Sequence, residues 1–332
     1  MIMTMGDING VGPEIIVKLL SNGSQSLPLK QFPVVFGLMM ALKKASIELD
    51  LPVNLQLIKS LEEWSSYPDK ICVFEAGVSD FELNPGKIDP ISGSASLKWV
   101  HDAVLCLKSG QALGMVTAPV SKEAIEPNSP GFQGHTEYIG EMCHDPEPVL
   151  ALVHEDWIVA HVSTHVSLRV ACDRVQKPRI KKTVRLLDKL LGKLKPGCAR
   201  KIGVAGLNPH AGENGLFGQE EIEVIRPVIE ELNAQNMNIV GPIPADVVFP
   251  QLRARMYDGV VAMYHDQGHV VTKTIAFDLG QAKSLRGVNI TLGLDVIRTS
   301  VDHGTGFDVA WTGVASCESL NDALILAHRV AQ

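Results

Sequence analysis

Seven short apolar runs rich in β-branched residues punctuate the chain: PVVFG from residue 33, KICVFEAG from 70, ALGMVTAP from 112, WIVAHVSTH from 157, KIGVAGLNPH from 201, NIVGPI from 238 and GVVAMYH from 259. Longer segments of helical period lie between them. One, SGSASLKWVHDAVLCLKSG, opens on serines suited to capping and closes on a lysine and Gly110, the start and stop signals of a helix. Strands that alternate with helices pair in parallel and are covered on both faces, so they read as continuously apolar. The expectation is an α/β protein whose ligands sit at the carboxyl ends of strands. At 332 residues the chain exceeds one compact core, so two domains are expected.

Charge and cysteine content remove several functions. The formal net charge is −7 and no lysine or arginine block is present, which argues against a nucleic-acid partner. Any anionic ligand must therefore be held by a few local cations. No apolar run approaches the roughly 20 residues of a membrane span, and the start, MIMTMGDINGVGPE, lacks the pattern of an export signal. Cytoplasm is the expected compartment. Six cysteines are scattered without a C-x-x-C pair, which fits neither a disulfide framework nor a thiolate zinc site, and they are expected as buried thiols.

Of eleven histidines, five fall in three strand-end motifs: His161 and His165 in AHVSTHVSLR, His210 in GLNPHAGENG, and His265 and His269 in YHDQGH. A lone histidine is commonly structural, but three strand ends each delivering one suggest a divalent metal site with positions open to substrate oxygens. On a strand His161 and His165 share a face, and His165, nearer the end, is the better ligand candidate. Asp266 and Gln267 are expected to orient His265, and Gly268 to let the backbone turn beside a ligand. The glycines of GDINGVGPE do not form a dinucleotide fingerprint, and no Walker lysine follows. Gly6, Gly10 and Gly12 are expected in a tight turn before the helix PEIIVKLL, with Pro13 and Glu14 in its first turn.

Taken together, GDINGVGPE, GHTEYIGE, STHVSLR, GLNPHAGENGLFGQEE, GPIPAD, MYHDQGH and GVNITLGLDVIRTSVDHGTGFD resemble the 4-hydroxythreonine-4-phosphate dehydrogenase family of pyridoxal phosphate biosynthesis. The resemblance implies two α/β/α domains, similar to those of isocitrate and isopropylmalate dehydrogenases, with an active site in the interdomain cleft at a homodimer interface. Approximate bounds are 1–125 with 285–332 for the first domain and 126–284 for the second. It implies NAD or NADP, bound without a Rossmann fingerprint, and one divalent ion (zinc, magnesium, manganese or cobalt) held by His165, His210 and His265 and shared between subunits. His135, Thr136, Lys273, Asn289 and Arg298 match substrate-binding positions. Asp246 matches a motif position suited to proton transfer or ligand orientation, and Lys273 could also move protons. Asp302 and His303 are the candidates for the nucleotide site.

Departures from the family pattern bear on the substrate. The vitamin-pathway enzymes have an apolar residue where this chain has His269, whereas a neighbouring subfamily acting on four-carbon acid sugar phosphates has HDQGH. That subfamily also tolerates extra residues such as those of AFDLGQAKSLRGVN. The expected reaction is therefore oxidation of the third-carbon hydroxyl of 4-phospho-threonate or 4-phospho-erythronate, with decarboxylation to dihydroxyacetone phosphate and His269 reading the second carbon. Asp295 replaces an expected proline, Trp311 a small residue, and Ile8 and Asn9 the usual Pro-Ala. The alternatives are the vitamin-pathway dehydrogenase itself, a cis-dihydrodiol dehydrogenase on the same scaffold, and a silent metal- and ligand-binding protein.

Overall fold

The computed structural model describes all residues except 22, 24–28, 30, 79–81, 146, 156 and 277–286. In chain order the elements begin β1 (Ile2–Thr4), α1 (Gly12–Ser21), β2 (Val34–Phe36), α2 (Met39–Glu48), β3 (Leu55–Leu57), β4 (Ile71–Phe74), α3 (Pro90–Lys108), β5 (Met115–Thr117), α4 (Lys122–Ile125) and α5 (His135–Met142). They continue with β6 (Val149–His154), β7 (Trp157–His161), α6 (Leu168–Asp173), α7 (Lys177–Leu194), β8 (Ile202–Ala205), α8 (Arg226–Ala234), β9 (Ile239–Ile243) and α9 (Ala245–Arg253). The last are β10 (Gly259–Ala262), α10 (His265–Ala276), β11 (Val288–Leu292), β12 (Arg298–Val301) and α11 (Glu318–Ala331). No helix among the described residues is long and apolar enough to cross a membrane.

Contacts divide the chain into two compact units: Met1–Glu147 with Lys283–Val288 and Leu294–Gln332, and Pro148–Ala282 with Asn289–Gly293. The inserted stretch 277–286, and with it the expected second boundary, lies outside the described residues. In the first unit the strands run in the order β3-β4-β2-β1-β5-β12, and β1 pairs in parallel with both β2 and β5. In the second the order is β11-β6-β7-β10-β8-β9, with β10 parallel to both β7 and β8 and β6 antiparallel to β7. The expected α/β class holds: β1, β2, β5, β8 and β10 are buried along their whole length, as sheets covered on both faces require. The second unit's core gathers Val159, Val260 and Ala262 from the sheet with Val248, Phe249 and Leu252 of α9.

Two local expectations change. The cap of α3 is Asp89, whose side chain accepts from Ile91 N ahead of Pro90, so the helix starts before the serines. Ser92 lies inside it and donates to buried Asp7. The cysteines are all free, but Cys172 and Cys198 are exposed, and only Cys72 and Cys143 are buried. Cys172 lies on α6, a short helix with Ala171 as its buried residue, and Cys198 in the loop after α7. Neither position faces a core.

The glycines of the first motif do make close turns. A Cβ on Gly12 would lie 2.0 Å from the Met5 carbonyl oxygen, and one on Gly6 would lie 2.2 Å from that of Pro119. Gly12→Ala must push backbone against backbone and is expected to lower stability by about 1–3 kcal/mol, measured by urea unfolding. A variant as stable as the parent would show that this approach is relaxed in solution.

Candidate functional site

The first unit builds a cation pocket around β12. Arg298 opens that strand and is 3% exposed. Its Nη2 and Nε donate to Thr117 Oγ1 of β5 at 2.8 and 3.2 Å, and its Nη1 lies 3.5 Å from Thr136 Oγ1. Burial lowers its pKa to about 10, with Glu137 acting in the opposite sense, so the guanidinium stays charged at neutral pH. Beside it His135 begins α5, after Gly134 at φ 153°. The His135 Nε2 is buried and lacks a hydrogen-bond partner. Burial first, then the charges of Arg298 and Lys122, hold the imidazole well below its ordinary pKa of 6.5. A buried cation, an unsatisfied imidazole nitrogen and a threonine hydroxyl together suit an anionic group. Thr117 and Lys122 were not legible as members of this pocket.

The second unit carries the histidines, on three strand ends that adjoin. Val261 of β10 stands opposite Ala160 of β7 and Val204 of β8. His161 ends β7, so His165 lies in the following loop and not on the strand; the shared-face argument does not reach it. His265 starts α10, and its ring centroid is 5.8 Å from that of His165. It stacks on His269 at 3.7 Å and 10°, and His269 in turn lies 4.7 Å from His161. His161 is fully buried, with Nδ1 3.3 Å from Leu150 O. His269 is 6% exposed and gives Nδ1 to the His265 carbonyl. Burial foremost lowers His161 to about 3 and His269 to about 4.

The expected supports of His265 divide. Asp266 Oδ1 is 2.6 Å from His265 Nδ1, as expected of an orienting carboxylate. Gln267 is turned elsewhere. Buried, it accepts from Met263 N at 2.7 Å and donates to Gly206 O at 2.8 Å, tying the end of β10 to that of β8. Gly268 lies in α10 against His161, where a Cβ would approach Nε2 to 2.3 Å. It serves helix packing and does not make a turn beside a ligand.

His210 is two-thirds exposed (67%), and its Nδ1 is 3.1 Å from Glu213 Oε2. Among the described residues no group of three or more His, Cys, Asp and Glu side chains is placed to hold a metal ion. What the chain does supply is two imidazoles with Nδ1 committed to a carboxylate, His265 and His210, leaving each Nε2 as the lone-pair donor. That donor set suits a borderline divalent cation. Lys273 lies half-buried in the last turn of α10, one turn beyond His269. Asp246 is exposed in the first turn of α9, and Asn289 lies on β11 with Oδ1 shut off from solvent. Asp302 N donates to Ser319 Oγ, and His303 Nδ1 lies 2.9 Å from Gly304 O. Glu213, three residues past His210, was visible only as a spacing, and nothing marked Glu221 as more than a surface carboxylate.

Residues 30–327 match the family described as pyridoxal phosphate biosynthetic protein PdxA. The chain is 40% identical to D-threonate 4-phosphate dehydrogenase of Salmonella typhimurium, over 99% of this chain and 98% of the relative. A crystal structure of 4-hydroxythreonine-4-phosphate dehydrogenase from Klebsiella pneumoniae superposes with a TM-score of 0.83 at 37% identity, covering 100% of this chain and 99% of that one. A terephthalate 1,2-cis-dihydrodiol dehydrogenase from Burkholderia xenovorans follows at 0.67 and 28%, covering 98% and 96%.

The His135 environment yields a pH dependence. Its folded pKa lies below 6.5, so below about that pH the unfolded chain binds a proton that the folded chain refuses. Stability is therefore lost as pH falls from about 6.5, with a slope of up to about 1.4 kcal/mol per pH unit from this group. His135→Gln should flatten the decline measured by urea unfolding between about pH 6.5 and 4.5. An identical slope in the variant would contradict the burial argument.

Proposed function

Because the chain belongs to the PdxA family, we propose that it is a metal-dependent NAD(P) dehydrogenase acting on a phosphorylated four-carbon hydroxy acid. The substrate is 4-phospho-threonate or 4-phospho-erythronate, oxidised at the third carbon and decarboxylated to dihydroxyacetone phosphate. The observation that carries the metal in this reading is the pair of carboxylate contacts, Asp266 on His265 and Glu213 on His210. Each carboxylate favours a proton on Nδ1 and so leaves Nε2 as the lone-pair donor. His165, His210 and His265 would hold the divalent cation, which would supply polarisation of substrate oxygens, and the nicotinamide would supply the hydride acceptor.

The remaining roles fall to the chain's own side chains. Arg298 holds the phosphate or carboxylate, with His135 Nε2 and Thr136 Oγ1 supplying further hydrogen bonds. Its buried guanidinium is worth more to an anion there than an exposed one. Asn289 orients the substrate, and Lys273 and Asp246 move the protons of the hydroxyl and of the decarboxylated product. Asp302 and His303 contact the nucleotide. His269, with Nδ1 spent on His265 O, has Nε2 left for a substrate hydroxyl. A cytoplasmic homodimer completes the reading. Leu168, Val170, Leu216, Phe217, Ile222 and Val270, all large and exposed, lie in the segments that carry the histidines, where a second copy would cover them.

The pairing of ligands follows from the ring positions. His165 and His265 are close within one chain, and His210 is the one expected from the partner. Subunit exchange between inactive His165→Ala and His210→Ala proteins should restore activity, because one site per mixed dimer is then intact. His165→Ala with His265→Ala should restore none. Recovery in the second mixture alone would reverse the assignment, and a demonstrated heterodimer without recovery in either would refute sharing.

The vitamin-pathway reading differs at the second carbon, where the substrate has an amino group, and His269 separates the two. The quantity to measure is kcat/KM for 4-phospho-threonate over 4-phosphohydroxy-threonine. A preference for the hydroxy acid is expected, reduced by roughly tenfold to a hundredfold in His269→Leu, the scale of about 1–3 kcal/mol for a lost hydrogen bond. A preference for the amino acid would return the chain to the vitamin pathway.

A further inference from the structure

The segment that carries His210 winds against the hand of the rest of the chain. His210, Ala211, Gly212, Glu213 and Asn214 hold φ of 54, 53, 79, 42 and 56°, all in the left-handed region. Four of the five are not glycine, and such runs persist only where the surroundings over-determine them. The surroundings converge on one side chain. Glu221 is 1% exposed. Its Oε1 accepts from the main-chain N–H groups of Leu207 and Asn208 at 2.7 and 2.8 Å, and its Oε2 accepts from Asn208 Nδ2 at 3.0 Å.

The turn closes directly over that carboxylate. A Cβ on Gly212 would come within 2.6 Å of Glu221 Oε2, and one on Gly206 within 2.9 Å of Ala211 Cα and 3.2 Å of Glu221 Oε1. Glycine at both positions is what allows the loop to lie on the carboxylate. Glu221 also opens a π-helical turn, Glu221–Ile225, a form that occurs mostly as single turns and often at functional sites. Being closed off from solvent, the carboxylate acts through the loop and not on a substrate.

We infer that Glu221 is the positioning residue of His210, pinning Leu207 and Asn208 and so setting the left-handed turn from which the imidazole is presented. This rests on the reading of His210 as a metal ligand. When the carboxylate is neutralised, an acceptor of three N–H groups is replaced by a group that carries N–H donors of its own, and the turn relaxes toward ordinary φ. The contact of Glu213 with His210 belongs to the same turn and is lost with it.

The test is titration of the full-length, metal-free protein with Co²⁺, followed by visible absorption, for the parent, Glu221→Gln, Gly212→Ala and His210→Ala. Circular dichroism and thermal melting identify the variants that remain folded. Glu221→Gln and Gly212→Ala are expected to weaken Co²⁺ binding by about tenfold to a hundredfold, the scale found for outer partners of metal ligands, and to alter the spectrum as His210→Ala does. Gly212→Ala keeps the carboxylate while forcing the turn off it, so it decides the matter if Glu221→Gln fails to fold. Parental affinity and spectrum in folded Glu221→Gln and Gly212→Ala, beside a loss in His210→Ala, would overturn the inference and leave the metal reading standing. Parental binding in His210→Ala would overturn the metal reading, and with it the role assigned to Glu221.

Discussion

The parallel register of β7, β10 and β8 is the constraint on which the second unit depends. It sets Ala160, Val261 and Val204 opposite one another, so three strands end side by side. Gln267 then ties the end of β10 to the end of β8 through Met263 N and Gly206 O. With that clamp in place α10 starts against β7, and Gly268 lets it lie on the buried ring of His161. The stack of His161, His269 and His265 follows from this packing, and it fixes where His265 begins the helix. A side chain at position 268 would separate helix from sheet and take His265 with it.

Two physical devices then set the state of polar side chains. In the second unit, carboxylates fix imidazole tautomers, and the strained turn at His210 costs about 1–2 kcal/mol per left-handed residue against the charge-assisted hydrogen bonds of Glu221. In the first unit, burial does this: Arg298 keeps its charge out of water, and His135 is held neutral with a nitrogen unsatisfied.

The α/β class was legible because buried parallel strands are apolar throughout, and all seven runs read from the sequence contain a strand. Other strands lie outside those runs: β6 (Val-Leu-Ala-Leu-Val-His) and β11 (Val-Asn-Ile-Thr-Leu) carry an apolar, β-branched signal all the same, and the remaining ones carry less. β1 and β3 are three residues long, and β12, Arg-Thr-Ser-Val, begins on a buried cation. The strand-end histidines were legible as a cluster, since they follow apolar runs. Of the supporting groups, Asp266 was legible because it adjoins His265, whereas the others were not, because Glu221 lies 11 residues beyond His210 and Thr117 lies 181 residues before Arg298; proximity of that kind is made by topology. Gln267 beside a histidine looks like an orienting partner, yet the helix turns it to the neighbouring strand.

The central claim is that histidines from three strand ends hold one ion. The most direct measurement is the anomalous scattering of crystals grown with Zn²⁺ or Co²⁺. The account predicts one peak per site, about 2.0–2.1 Å from Nε2 of His165 and His265 of one chain and of His210 of a second copy. Peaks bound to other side chains, with these three imidazoles left unligated in a crystal that contains the metal, would contradict it.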